Sequence, residues 1–419
     1  MERVLNKEVL FLFFSCAYLI GLIFSPFVLS VAMWSLAGIC VLDLGIKGKI
    51  PFIRPTKGVG KKLLATFRQP DYVAVTLFFF LVLLDFWQTE DQAYWLARLR
   101  LKIPFLVLPL VFYALPKLRE SWYHGVFVCL LVVLFFTCIG IAIHYLLNIE
   151  AIQEAMKRGH PIPTPRNHIR FSLILAMGVI GGITLWTRRF YLFFPKWEPW
   201  LYLGLTVFLF FFCHFLSVRS GLLALYAGLF FMALQALIQY GRLWPVVITL
   251  AAMMALPYLA YRIIPSFQAK IDYTIHDWLM YQKGEGAVYA DAGRITSWIV
   301  GWQIFREHPL FGVGAGNLKQ EVTTIFAEKY PQFPEALVPH NQFLFVAAGS
   351  GLLGLFFFLI ALWYPFFHTQ LYQQPLALGF YGISLASFMV EHTIENSIGI
   401  GFFVFFLLFL LLKMKTFPA

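Results

Sequence analysis

Four segments of the chain hold residues whose types and spacing suit chemistry. In Pro161-Ile-Pro-Thr-Pro165-Arg166-Asn-His168-Ile-Arg170 the prolines set an extended approach that cannot continue a helix. The sequence turns apolar immediately afterwards, so Arg166, His168 and Arg170 sit at a helix mouth. The two arginines lie about one turn apart on one face. Such a pair can hold a phosphate, or its heads can snorkel to lipid headgroups. The second segment, His214-Phe-Leu-Ser217-Val-Arg219-Ser220-Gly221, sets an arginine between two hydrophobic runs with almost no loop. A guanidinium at membrane depth costs about 2.5–3.5 kcal/mol on insertion scales and normally has an anionic partner. That partner is either a substrate phosphate or a carboxylate of the bundle. Ser217 or Ser220 is expected to cap the helix that follows, whose first amides add positive potential.

The third segment joins Asp291-Ala-Gly293-Arg294-Ile-Thr-Ser-Trp298 to His308-Pro309-Leu-Phe-Gly312-Val-Gly314-Ala-Gly316-Asn317. No Lys-Ser/Thr pair follows the alternating glycines, so they read as a tight backbone turn rather than a nucleotide loop. The fourth, Pro339-His340-Asn341-Gln-Phe-Leu344, puts a histidine at the entrance of an apolar run. A neutral imidazole is suited to take a proton from a sugar hydroxyl, although a lone histidine is more often structural. In Glu391-His392-Thr-Ile-Glu395 the order is wrong for a zinc-protease helix, and the chain holds no Asp-x-Asp pair, so no metal or cofactor is expected. Glu391 and Glu395 lie one turn apart. They are expected to pair with the arginines, to orient His340 or to line an acceptor site.

The elements that must position these groups follow from composition. With 60% apolar and 13% charged residues, the chain cannot cover a water-soluble globule. The expected class is all-α, a polytopic membrane protein, because apolar runs of helix-spanning length recur throughout. Runs at about 9–24, 27–45, 71–88, 102–115, 124–147, 168–186, 198–216, 219–239, 243–261, 340–365, 375–393 and 398–413 give about twelve spans. The five cysteines, at 16, 40, 129, 138 and 213, lie in or beside such runs without ligand spacing and read as core residues.

The formal charge of +11 must be divided between the two sides of a bilayer before it says anything of nucleic acid, and no nucleic-acid partner is expected. With the N-terminus inside, the inner loops hold seventeen Lys and Arg, Lys49 and Lys117 among them, against eight in the short outer loops. The positive-inside rule therefore favours that orientation. It places 262–339 outside as one large loop, between membrane parts 1–261 and 340–419 of a single structural unit. Arg98, Arg100, Arg166, Arg170 and Arg219 then lie outside, against the bias.

Ser217-Val-Arg219-Ser-Gly221, Gly293-Arg294-Ile-Thr-Ser-Trp298, His308-Pro-Leu-Phe-Gly-Val-Gly314-Ala-Gly-Asn317 and His340-Asn-Gln-Phe-Leu344, in that order, resemble the O-antigen ligase family. Its relatives include O-antigen polymerases and enzymes that move lipid-linked glycans onto protein. The resemblance covers about 160–360 by motif and the whole chain by span pattern. It implies a C-type glycosyltransferase-like fold in the bacterial inner membrane, with the active site facing the periplasm. The implied reaction is metal-independent transfer of a glycan from undecaprenyl diphosphate, to lipid A-core in the ligases. On that carry-over Arg219 and Arg294 hold the diphosphate, with Arg170 and Arg166 matching less firmly, and His340 is the catalytic histidine. His168, Asn341 and Glu391 would support them. A lipid-diphosphate transporter is the rival from another class. It is disfavoured by the single large loop and by the lack of a half-to-half repeat.

Overall fold

The computed structural model describes residues 2–47, 50–115, 118–283 and 290–416. Lys49, Lys117 and the stretch 284–289 of the expected outer loop lie outside the described residues. In chain order the helices begin with α1 (Lys7–Phe24), α2 (Pro26–Val41), α3 (Val59–Thr66), α4 (Pro70–Leu84), α5 (Gln92–Ala114), α6 (Glu120–Leu147), α7 (Ile149–Lys157), α8 (His168–Thr187) and α9 (Glu198–Leu216). They continue with α10 (Arg219–Tyr240), α11 (Trp244–Ile263), α12 (Pro265–Gln282), α13 (Ala290–Glu307), α14 (Leu318–Lys329), α15 (Gln342–His368), α16 (Pro375–Val390) and α17 (Ser397–Thr416).

Each of the twelve apolar runs falls wholly or mainly in a helix. Among the described residues, nine helices are long and apolar enough to cross a membrane, while α2 and α16 are apolar but shorter. The helix α5 is 23 residues long and carries Arg98, Arg100 and Lys102. The segment expected as one loop is itself helical, holding α12, α13 and α14.

One part of the chain departs from the all-α expectation. The second run was expected to continue to residue 45, but its helix stops at Val41 and the chain turns into a three-stranded antiparallel sheet. Its strands are β1 (Glu2–Val4), β2 (Leu42–Lys47) and β3 (Ile50–Pro55), in that spatial order. The reason is local. Leu42, Leu44 and Ile46 alternate with Asp43, Gly45 and Lys47, a period of two that suits a strand and not a helix. Asp43 fixes the corner by accepting from Lys7 and the Thr56 hydroxyl, both at 2.9 Å.

The helices α8 and α17 form the core of the bundle and are covered by neighbours along most of their length. In a bilayer, close packing replaces the hydrophobic drive between helices, so small residues decide which surfaces meet. Gly221 lets α10 lie against α8, since a Cβ there would fall 2.2 Å from the Ser172 hydroxyl. At the polar end, α15 is broken at Gly351 (φ 64°, ψ −164°). The segment 309–314 docks its backbone into the break: Val313 N donates to Ala348 O, Gly314 N to Gly349 O, and Leu352 N to Pro309 O, at 2.7–3.1 Å. Gly312 and Gly351 both have positive φ, and a Cβ on either would meet opposing backbone at 2.3–2.4 Å. The glycines are thus a backbone clamp that fixes α13 and α14 to the helix beginning beside His340.

Candidate active site

The turns before α5, α8, α10 and α17 and the segment entering α15 meet at one end of the bundle. Contacts among their charged side chains show this: Arg98 with Glu395, Arg170 with Glu391, and Arg219 with Asp291. At the α9–α10 junction Ser217 adopts the left-handed conformation (φ 56°, ψ 30°), which reverses the chain in two residues. Ser217 does not cap α10 as expected. Its hydroxyl turns back to the His214 carbonyl at 3.0 Å, and the N-cap residue, Val218, offers no side-chain acceptor.

Arg219, the first residue of α10, meets a carboxylate of the protein itself. Both terminal nitrogens donate to Asp291 of α13, at 2.6 and 2.7 Å, a bidentate pair. The Asp291 backbone amide donates in turn to Asp277 of α12 at 2.9 Å. Arg294, one turn beyond Asp291, donates to Glu391 at 2.9 Å. Arg170 approaches the second Glu391 oxygen at 3.8 Å. Arg170 is only 6% exposed, and its Nε and Nη1 have no protein acceptor among the described residues. Of the two partners the sequence left open for Arg219, the protein supplies the carboxylate.

His340 is held by backbone and indole. Its amide donates to Ser297 Oγ at 3.2 Å, and the Trp298 indole donates to its carbonyl at 2.9 Å. Its Nδ1 lies 3.0 Å from the Val338 carbonyl. A ring nitrogen facing a carbonyl must carry the hydrogen, which leaves Nε2 as the acceptor. The His392 ring packs edge-on, 4.8 Å away. Burial lowers the His340 pKa below the ordinary histidine value; the Glu391 charge opposes this, and Arg294 and Arg170 add to it. The ring is therefore neutral at neutral pH. Burial acts more strongly on His392, pushing it down to about 3. For Asp291 burial opposes ionisation, but the Arg219 hydrogen bonds and the charges of Arg219, Arg294 and Lys270 outweigh it, so its carboxyl lies below the usual range.

Asn341 is the N-cap of α15. It accepts from Leu344 N at 3.0 Å and donates to the Met389 carbonyl at 2.9 Å, tying α15 to the end of α16. His168 opens α8 beside the arginines. Arg166 is not brought to them: it is exposed and donates through Nε to the Phe24 carbonyl of α1 at 3.0 Å.

Two cavities share one wall. The larger, about 430 Å³, is lined by Trp278, Tyr281, Trp298, Leu223, Ile295 and Val390. The smaller, about 180 Å³ and more enclosed, is lined by His160, His168, Ser217 and Lys270. Arg219, Ser220, Asp291 and Arg294 line both. The arrangement can therefore hold an anionic group at the wall, with aromatic surface beside it.

His340, Glu391 and His392 bring potential ligand atoms within 4.8 Å of one another. Yet the Glu391 oxygens already face Arg294 and Arg170. A cation there would have to displace one guanidinium and stand beside the other, so the donor set fits a metal poorly.

Sequence reasoning missed Lys270, Asp277 and His392, and gave Asp291 no role. Only Asp291 offered a signal, standing three residues before Arg294 on one helical face.

Long apolar helices around an arginine-lined polar end are those of a multi-pass membrane protein. Residues 204–359 match the O-antigen ligase family model, in agreement with the resemblance carried by the motifs, and this similarity points to an activity of the O-antigen ligase or polymerase type. The matched segment runs from α9 into α15 and contains Arg219, Asp291, Arg294 and His340. No curated protein matches the chain.

Proposed function

We propose that the protein is an O-antigen ligase, transferring a glycan from undecaprenyl diphosphate to lipid A-core at the periplasmic face of the bacterial inner membrane, without a metal. The observation that carries this reading is the wall shared by the two cavities, where Arg219 and Arg294 stand at the join between an enclosed basic pocket and an aromatic one. A diphosphate fits the basic side, and an adjoining sugar fits the aromatic side.

In the reaction the acceptor hydroxyl oxygen attacks the anomeric carbon while the bond from that carbon to the diphosphate oxygen breaks. The electron pair leaves with the diphosphate, and the hydroxyl proton passes to His340 Nε2. Inversion is the expected outcome. The leaving group is a stable anion and needs charge stabilisation more than a proton, which bidentate guanidinium donors supply. For the Arg219 fork to take phosphate oxygens, Asp291 must give way. Arg170 adds two buried donors facing no protein acceptor.

The deciding assay gives the purified protein a lipid-linked glycan and, separately, lipid A-core. Glycan on lipid A-core supports the ligase. Elongation of the donor alone favours a polymerase, and glycan on a protein acceptor favours an oligosaccharyltransferase. Reporter fusions after Lys283 and Lys415 should report opposite sides of the membrane; the same side for both overturns the orientation.

A further inference from the structure

The smaller cavity contains a cation that belongs to none of the recognised motifs. Lys270, on α12, lines it together with Arg219 and Arg294. Its ammonium donates to the Gly159 carbonyl at 2.9 Å. The ammonium also lies over the Tyr273 ring, 5.4 Å from its centroid; the Gly159 carbonyl is its one hydrogen-bond acceptor among the described residues, so N–H donors remain for another partner. Burial lowers the pKa of this lysine, and the Arg219 and Arg294 charges add to the effect while Asp291 and Asp277 oppose it. A third cation is thus held beside two guanidinium groups at a cost that an anion in the cavity would relieve.

The charges lining this cavity can be counted. Lys270, Arg219 and Arg294 face a single lining carboxylate, Asp291. Behind this lining, Asp277 is engaged by the Asp291 amide, while Glu391 is shared by Arg294 and Arg170. The lining therefore carries a surplus of two positive charges. A diphosphate esterified at both ends, to a lipid and to a sugar, carries two ionised oxygens. Charge and enclosure match that group, and a volume of about 180 Å³ has no room for a glycan chain as well.

We propose that Lys270 is a third ligand of the donor diphosphate, contributing its charge to the phosphate held in the smaller cavity. This rests on the ligase or polymerase reading of the site. The alternative is a tether, in which Lys270 only fastens the Gly159 turn to α12. Glutamine separates the two roles: it can still donate to the Gly159 carbonyl but has no charge, whereas arginine retains the charge.

The experiment measures binding of inorganic pyrophosphate to the purified full-length protein, and the KM for the lipid-linked donor, in wild type, Lys270→Gln and Lys270→Arg. Loss of a charge-assisted contact should weaken pyrophosphate binding in Lys270→Gln roughly ten- to hundredfold. The donor KM should rise with kcat little changed, and Lys270→Arg should stay within about threefold of wild type. Wild-type pyrophosphate affinity in Lys270→Gln, or equal loss in the Gln and Arg variants, overturns the proposal. If Lys270→Gln does not accumulate, acetyl-lysine incorporated at position 270, uncharged but still an N–H donor, takes its place. Arg219→Ala is the control on the underlying reading. If it abolishes pyrophosphate binding while Lys270→Gln does not, only the Lys270 assignment fails. If neither variant changes binding, the diphosphate reading of the site fails as well.

Discussion

Two charged clusters at the polar end of the bundle use the same residue types and reach opposite arrangements. In the first, Arg98 and Lys102 of α5 hold Glu395, and Gln342 donates to the same carboxylate at 2.7 Å. Lys102 also donates to the Ile394 carbonyl at 2.6 Å, so the cluster clamps the turn between α16 and α17. Its side chains are at most 9% exposed and line neither of the two site cavities. In the second cluster, Arg219, Asp291 and Arg294 are 23–35% exposed and wall both cavities. Arginines at this end of the bundle thus have two kinds of setting. One set fastens a turn, and the other faces a space that an anion can enter.

The largest effect expected is at His340, which lines neither cavity but is held through its carbonyl by Trp298 of the larger one and stands beside Glu391 and Arg294. His340→Ala should lower turnover roughly 10²–10⁴-fold, the range of a general base, with donor binding near normal. Loss of donor binding instead would make the histidine a diphosphate ligand or a structural residue. The pH profile gives a second reading. A lowered pKa keeps the ring neutral, and able to accept a proton, below the ordinary histidine value. The acid limb of the wild-type rate should therefore fall below about pH 6.5, and a limb centred above that value would count against His340 as the base.

The comparison is broken next by removing one carboxylate from each cluster. Glu395→Gln leaves two buried cations without their counter-charge, and about 3–5 kcal/mol of stability should be lost, read as reduced accumulation and a lower unfolding midpoint. Asp291→Asn removes a pair that is a quarter to a third exposed, so about 1 kcal/mol or less is expected. Equal losses from the two changes would erase the distinction between a closed and an open cluster. Arg219→Ala and Arg294→Ala should keep the fold and lower transfer roughly 10²–10³-fold, with Lys only a partial substitute because it lacks the planar fork.

The sequence made the spans legible because apolar run length is a local property, and every run became wholly or mainly helical. Where the pattern changes period within one run, at Leu42–Gly45, the start of the strand reads as the tail of a span. The residues that form the wall were legible as types out of place: Arg219 between two hydrophobic runs, Arg294 in its motif, and His340 before a span. Their partners were not. Asp291 reaches Arg219 across 72 positions and Glu391 reaches Arg294 across 97. No periodicity encodes such distances. Lys270 looked like one more loop cation until α12 laid it against α10 and α13. The same absence of local signal explains why Arg98 could not be separated from Arg219 by sequence.

The smallest effect expected is at Arg166, and it tests whether proximity in sequence implies a shared site. Arg166 and Arg170 are four residues apart, a spacing that would put them on one helical face if the helix began before both. It does not: Asn167 caps α8, accepting from Ile169 N and Arg170 N at 3.0 and 3.1 Å, so Arg166 precedes the first turn. Its side chain then turns to the Phe24 carbonyl at the end of α1, while Arg170 is drawn inward to Glu391. An exposed arginine bonded to one backbone carbonyl contributes little, and Arg166→Ala should change transfer by less than about threefold, with stability within about 0.5 kcal/mol. Arg170→Ala, removing a buried cation beside Glu391, should cost far more. A loss of transfer in Arg166→Ala as deep as that in Arg219→Ala would show that the Pro161–Pro165 approach swings Arg166 into the donor site, and the boundary drawn here around the open cluster would have to include it.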